Sequence, residues 1–188
     1  MRHAHNHVIG FDDAPFDRAH RGDVLVVGTI FTGTRLDGVL SGKVRRDGVN
    51  STRVLAGLVR GSRFRAHLQL VMLQGIALAG FNVVDIHRLA RELGLPVLVV
   101  MRRRPAMDRI RRALLANVRG GRAKLRLIER AGPVEAAAGL FVQRAGISLD
   151  AVAAALRRLA VAGHLPEPLR AAHLIAGGIA TGESRHRA

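Results

Sequence analysis

His7-Val-Ile-Gly-Phe-Asp-Asp-Ala-Pro-Phe16 is the stretch on which the fold turns. Val8 to Asp12 is a short apolar run that stops on two adjacent carboxylates, Asp12 and Asp13. A carboxylate ending an apolar central strand is costly to bury without a partner or a metal, so Asp12 reads as a site residue. Successive strand residues point to opposite faces, so only one of Asp12 and Asp13 is expected to face a given site unless the strand ends there. Far downstream, Leu165-Pro-Glu-Pro-Leu-Arg-Ala-Ala-His173 delivers a histidine on the last expected helix. Its pKa near neutrality suits a proton donor, with Pro168 and Arg170 expected to orient it. The competing reading is a histidine satisfied by a backbone carbonyl.

Outward from that stretch the pattern is three strands followed by alternating helices and strands. Asp23 to Phe31 and Leu36 to Arg45 read as strands, and the short connection at Gly33 suits an antiparallel hairpin. Asn50 or Ser51 caps a helix to Arg60, with Val54, Leu55, Leu58 and Val59 as its apolar stripe. Ala66 to Leu73 predicts a strand, Val83 to Leu93 a helix ended by Gly94, and Pro96 to Met101 another strand. Pro105 opens a helix to Val118. Ala123 to Ile128 and Leu140 to Gln143 read as edge strands. Ser148 then caps a helix to Ala162, and Pro168 begins the last, to Ala180. This order predicts an α/β fold in which a mixed sheet carries helices on both faces. At 188 residues the expectation is a single domain over 7–182, with a flexible N-terminus at 1–6 and a C-terminal tail at 183–188.

The composition bounds the function. Cysteine is absent, which rules out disulfides and thiolate metal sites and suits a cytoplasmic protein. The first residues lack the apolar core of a signal peptide, and the uncharged run from Leu68 to Val84 is interrupted by Gln69, Gln74, Gly75, Gly80 and Asn82, so no membrane partner is expected. The formal net charge is +16. Lysine occurs only at Lys43 and Lys124, leaving 28 arginines, a bias that a GC-rich genome would also produce. Distribution separates the two causes. Arg102, Arg103, Arg104, Arg109, Arg112 and their neighbours up to Arg126 have Asp108 as the only acid among them, where a merely solvated face interleaves signs. These arginines predict a nucleic-acid surface, with DNA as the partner. Phe16, beside the acids, is the candidate stacking residue, whereas Phe81 reads as core. His3, His5 and His7 alternate and could chelate a transition metal, but a frayed terminus is much the better reading of them. No phosphate-binding loop of the Walker type is present.

Five blocks carry a resemblance: Gly10-Phe-Asp-Asp-Ala-Pro-Phe16, Asp47-Gly-Val-Asn-Ser-Thr52, Leu73-Gln-Gly-Ile-Ala-Leu-Ala-Gly-Phe-Asn-Val-Val-Asp85, Leu95-Pro-Val-Leu-Val-Val100 and Leu165 to Ala176. Together they resemble the endonuclease dU family, similar in fold to endonuclease V, over almost the whole chain. The resemblance implies an RNase H-like fold and a Mg²⁺- or Mn²⁺-dependent endonuclease acting on DNA with deaminated bases, deoxyuridine or deoxyinosine. It implies Asp12 as a metal ligand and His173 where endonuclease V-type sequences place an Asp or His.

The departures are specific. Where the family usually reads Asp-Gly-x-Asp-x-Thr this chain has Asn50, and where it reads Leu-Asp-Gly this chain has Gln74. An amide offers a neutral oxygen, so Asn50 and Gln74 are expected to be weakened ligands, with Asp13 and Asp47 as possible substitutes. The expectation is therefore an endonuclease with weak metal binding, one metal instead of two, or none. Its rival is a nucleic-acid-binding pseudonuclease, and a third reading is a small-molecule-binding α/β domain. Oligomeric state stays open.

Overall fold

The structure is a computed structural model and describes residues 5–184; His3 and the outermost residues of both expected tails lie outside that range. Seven strands form one sheet in the order β3-β2-β1-β4-β7-β9-β8. They are β1 (His7–Asp13), β2 (Asp23–Thr32), β3 (Arg35–Arg45), β4 (Leu70–Gln74), β7 (Val97–Met101), β8 (Glu135–Ala137) and β9 (Leu140–Ala145). Two short strands, β5 (Ala77–Leu78) and β6 (Asn82–Val83), make a separate hairpin. The helices are α1 (Ser51–Arg60), α2 (Ile86–Leu93), α3 (Met107–Asn117), α4 (Gly121–Arg130), α5 (Leu149–Leu159) and α6 (Glu167–Thr181).

Strands β1, β4 and β7 are parallel and central, and the other pairs are antiparallel. Their side chains alternate between two cores. Ile9, Phe11, Val71, Leu73, Val97 and Val99 pack with α1 and α2 on one face. Val8, Leu70, Met72, Leu98 and Val100 pack with α5 and the start of α6 on the other. Alternation thus covers both faces with apolar side chains and sends Asp12, in phase with Val8 and Gly10, toward α6.

Helix α6 sits unusually close to β1. A Cβ on Gly10 would lie 2.6 Å from the Pro168 carbonyl carbon, so only glycine lets the helix start rest on the strand. Thr29 Oγ1 on β2 donates to the Pro168 carbonyl at 2.5 Å, which fixes the same turn from the neighbouring strand. The start of the last helix is therefore placed by backbone and side chains of β1 and β2.

Some expectations are corrected. Ala123 to Ile128 belongs to helix α4, whose buried residues Gly121, Lys124, Leu125 and Ile128 follow the helical period. The strand expected from Ala66 begins only at Leu70, because His67 and Leu68 close a turn on Phe64. Helix α2 starts at Ile86 with Asp85 as N-cap, accepting from Arg88 N–H at 3.0 Å, and Val83 lies in β6. Helix α3 begins at Met107 instead of Pro105, and α5 ends at Leu159. Neither Asn50 nor Ser51 caps α1 with its side chain; the helix start is held by Asn82, whose Oδ1 accepts from Ser51 N–H at 3.0 Å. No helix among the described residues is long and apolar enough to cross a membrane.

Candidate active site

Where β1 ends, a cavity of about 470 Å³ opens between the strand ends and α6. Asp12, Asp13, Phe16, Gln74 and His173 all line it. Asp12 is 5% exposed. Its Oδ1 accepts the Asp13 backbone N–H at 3.0 Å, and its Oδ2 lies 2.8 Å from His173 Nδ1. The partner of His173 is thus a carboxylate, and with Asp12 accepting at Nδ1 the imidazole is left with Nε2 as its second polar atom. Arg170 does not orient the histidine, because its guanidinium is turned onto Glu167 at 2.8 Å.

Burial pushes the Asp12 carboxyl above the usual carboxylate range, with the His173 hydrogen bond opposing that rise. The same hydrogen bond holds the imidazole above its ordinary value, against partial burial and the nearby charge of Arg102. The contact favours the charged form of each partner, the carboxylate of Asp12 and the imidazolium of His173. Asp13 is pushed up to about 6 by burial and by the Asp12 charge, and the hydrogen bond from Ala79 N–H pulls the other way.

Asp13 therefore does two things. Its side chain reaches the cavity, and its Oδ2 accepts from Ala79 N–H at 2.9 Å, strapping the β5–β6 hairpin to the end of β1. Ala79 has φ 47° and Gly80 φ 81°, so the strap holds a sharply turned segment. A second carboxylate holds the same turn from the other side. Asp47 Oδ1 accepts from Phe81 N–H at 2.8 Å, and Asp47 N–H donates to Ala79 O at 2.9 Å.

Asp47 and Asn50 lie away from the cavity. Asn50 Oδ1 accepts from Arg45 N–H at 3.0 Å and from Asn82 Nδ2 at 2.7 Å, closing the turn between β3 and α1. Both residues are committed to this half-buried scaffold. Gln74 is different: its Oε1 is buried and accepts no hydrogen bond. A buried carbonyl oxygen without a donor is costly unless a donor or a cation reaches it.

The donors at the cavity are two carboxylates and this amide oxygen, all hard oxygen ligands of the kind Mg²⁺ takes. Two negative charges offset one divalent ion but not a second at about 3.5–4 Å. Among the described residues no cluster of three or more His, Cys, Asp or Glu is placed to hold a metal. The set fits one hard divalent cation and not a pair.

Phe16 forms one wall and is itself backed by the Arg46 guanidinium, 5.4 Å from its ring centre. The arginines Arg102, Arg103 and Arg104 are exposed immediately after β7, and Arg109 and Arg112 are exposed on α3. Lys124, in the same run of sequence, is instead buried and donates to the Asp47 carbonyl. Sequence reasoning missed the other half of the cavity: Ala14, Pro15, Gly177, Thr181 and Ser184. The spacing of His173, Gly177 and Thr181, one helical turn apart each time, is the signal that could have found them.

The family profile described as Endonuclease dU matches residues 4–180. The chain belongs to the endonuclease dU family. It is 59% identical over 179 residues to the UPF0215 protein of Deinococcus radiodurans, covering 95% of this chain and 91% of that one. It is 47% identical over 182 residues to the UPF0215 protein of Methanothermobacter thermautotrophicus, covering 95% and 89%. A crystal structure of a protein of unknown function from Archaeoglobus fulgidus superposes with a TM-score of 0.86 at 34% identity, covering 92% of this chain and 97% of that one. Endonuclease V of Bacillus subtilis superposes with a TM-score of 0.58 at 14% identity, covering 94% and 81%. The Ciona intestinalis endonuclease V, in complex with a DNA containing an inosine followed by a ribo-adenosine, does so at 0.56 and 12%, covering 89% and 82%. At those identities the likeness is one of fold, and the family member described here has the RNase H-like α/β fold.

Proposed function

We propose that this member of the endonuclease dU family is a divalent-metal-dependent endodeoxyribonuclease acting on DNA that carries deaminated bases, deoxyuridine in particular. The observation that carries the reading is the pairing of buried Asp12 with half-buried His173, 2.8 Å apart, in the lining of an open cavity. The family's description and the endonuclease V fold support the same direction.

Asp12, Asp13 and Gln74 would hold a single Mg²⁺ or Mn²⁺. When bound, such an ion supplies charge neutralisation at the phosphate and Lewis acidity for its hydrolysis. The remaining work falls to the chain. Asp12 holds His173 by Nδ1, so Nε2 is the nitrogen that meets the substrate. As an imidazolium, His173 donates its Nε2 proton to the leaving oxygen as the phosphorus–oxygen bond breaks, while a water oxygen adds to phosphorus and gives up its proton to solvent, which later reprotonates the imidazole. Asp13, tied to Ala79, keeps the hairpin against the strand ends and preserves the shape of the cavity. The exposed arginines after β7 and on α3 hold the phosphate backbone.

The test is cutting of oligonucleotides bearing one deoxyuridine, one deoxyinosine or no lesion, with Mg²⁺ or Mn²⁺. Lesion-dependent cleavage is expected, abolished in Asp12→Asn and reduced about 10²–10⁴-fold in His173→Ala. Cleavage that persists unchanged in Asp12→Asn sinks the assignment of the site. The second reading, a nucleic-acid-binding pseudonuclease, is favoured by the shortage of carboxylates at the cavity. It predicts salt-sensitive DNA binding with no cutting under either metal.

A further inference from the structure

The glycine at position 177 has no packing explanation. It lies in the interior of the 15-residue helix α6, followed by Gly178. An interior glycine costs about 1 kcal/mol relative to alanine. Yet a Cβ built on Gly177 would meet nothing closer than the Ser184 Cα at 4.0 Å, and its φ is not in the left-handed region. Gly10 is glycine because Pro168 leaves no room; Gly177 has room to spare. What the missing side chain leaves open is the cavity itself, of which Gly177 is a lining residue.

The remaining walls fit one kind of occupant. The Ala14-Pro-Phe16 segment lines the same cavity, with the Phe16 ring braced by Arg46. Beyond Gly177 in the chain, Thr181 and Ser184 also line it. Gly182, at φ 85°, turns the chain back so that Ser184 Oγ donates to Leu174 O at 2.6 Å. Thr181 Oγ1 lies 2.9 Å from Gly177 O. Apolar surface from Ala14, Pro15 and Phe16 shares the lining with polar residues, among them Gln74, whose buried Oε1 accepts nothing. At about 470 Å³ the space falls in the range of small-ligand sites. A flat ring between apolar and aromatic walls, with an N–H edge for an unpartnered amide oxygen, is how an unstacked nucleobase is received.

We infer that this slot takes one unstacked nucleotide next to the phosphate held at Asp12 and His173, and that Gly177 is glycine to admit its base. The inference rests on the nucleic-acid reading of the site and adds the state of the substrate: the strand is single, or is opened at that nucleotide. In the absence of a cation the base N–H is the donor for Gln74 Oε1, and Phe16 is the ring on which the base stacks.

The experiment needs no cleavage. In EDTA, affinities are measured for a short single-stranded DNA and for the same strand with an abasic residue placed at each position in turn. Loss of stacking is worth about 1–3 kcal/mol per base, so wild type should lose roughly 5- to 150-fold at one position and little elsewhere. Gly177→Leu should bind the intact strand as weakly as wild type binds the strand abasic at that position. Its own affinity should be indifferent to removal of the base there. Gly177→Ala, whose methyl meets no atom in contact, should fall between the two while melting no lower than wild type.

Uniform small losses along the strand in wild type overturn the slot, whether or not the protein cuts DNA. Equal sensitivity to base removal in wild type and both variants also overturns it, as does failure of wild type to bind the strand at low salt. Position-specific loss that disappears with Gly177→Leu upholds it, even if the Mg²⁺ assay finds no cleavage. In that case the nuclease reading alone falls.

Discussion

Asp13 is the residue whose two roles pull against each other. Its carboxyl is pushed to about 6 in the folded protein, above the 3.8 of an unstrained aspartate. The unfolded chain therefore releases this proton first as pH rises, and the native state is penalised progressively from about pH 4 to about pH 6. Once both states are ionised the penalty is on the order of 2–3 kcal/mol. Asp13→Asn keeps an oxygen for the Ala79 N–H and removes the charge. It should raise the melting temperature at pH 8 in EDTA and leave it unchanged at pH 3.5; equal effects at both pH values would rule out the charge as the cause. A neighbouring substitution separates the two amides. Gln74→Asp adds a third carboxylate at the cavity and should tighten Mn²⁺ binding at least about tenfold by calorimetry. Asn50→Asp, whose oxygen is already engaged by Arg45 and Asn82, should leave that affinity where it was.

At the scale of elements, the site depends on where α6 rests. Gly10→Ala drives a methyl into the Pro168 backbone and should cost about 1–3 kcal/mol in urea unfolding, as overpacking does. It should also lengthen or break the Asp12–His173 contact, read as a fall in the His173 pKa by NMR. An unaltered titration would show that the helix start does not set the pair. The same elements show what the sequence could tell. Strands β1, β2, β4 and β7 were legible because each is an apolar or β-branched run. Helix α4 was not, since Leu125 and Leu127 alternate over a short window and only Gly121, Lys124 and Ile128 reveal the longer period. The hairpin of β5 and β6 was out of reach: it is held by Asp13 and Asp47, 66 and 34 residues from their backbone donors. Asp12 and His173 could be picked by residue type and position. Gly177 could not, because its contribution is an absent side chain.

The whole molecule is a polycation, and its charge is placed where it can act on the site. The segment from Arg102 to Arg112 leaves β7, the strand paired with β4 through Gln74 and Val100, so its exposed guanidinia begin beside the cavity. Arg102 is near enough to disfavour protonation of His173. A phosphate drawn to this segment would screen that charge, raising the protonated fraction of His173 as the substrate arrives. Backbone contacts of this kind release counterions, and each contributes about one unit to the slope of log affinity against log salt concentration. Replacing Arg103, Arg109 and Arg112 together by Gln should flatten the slope by about 2–3 units with no change in melting temperature, since all three are exposed. Arg157→Gln on α5, also exposed but outside the segment from Arg102 to Arg112, is the control and should move the slope by less than about 1 unit. Equal flattening per arginine at both places would mean that the charge acts as a diffuse cloud from a biased genome. A slope that responds only to the α3 segment would mean that the arginines form a track leading to Asp12.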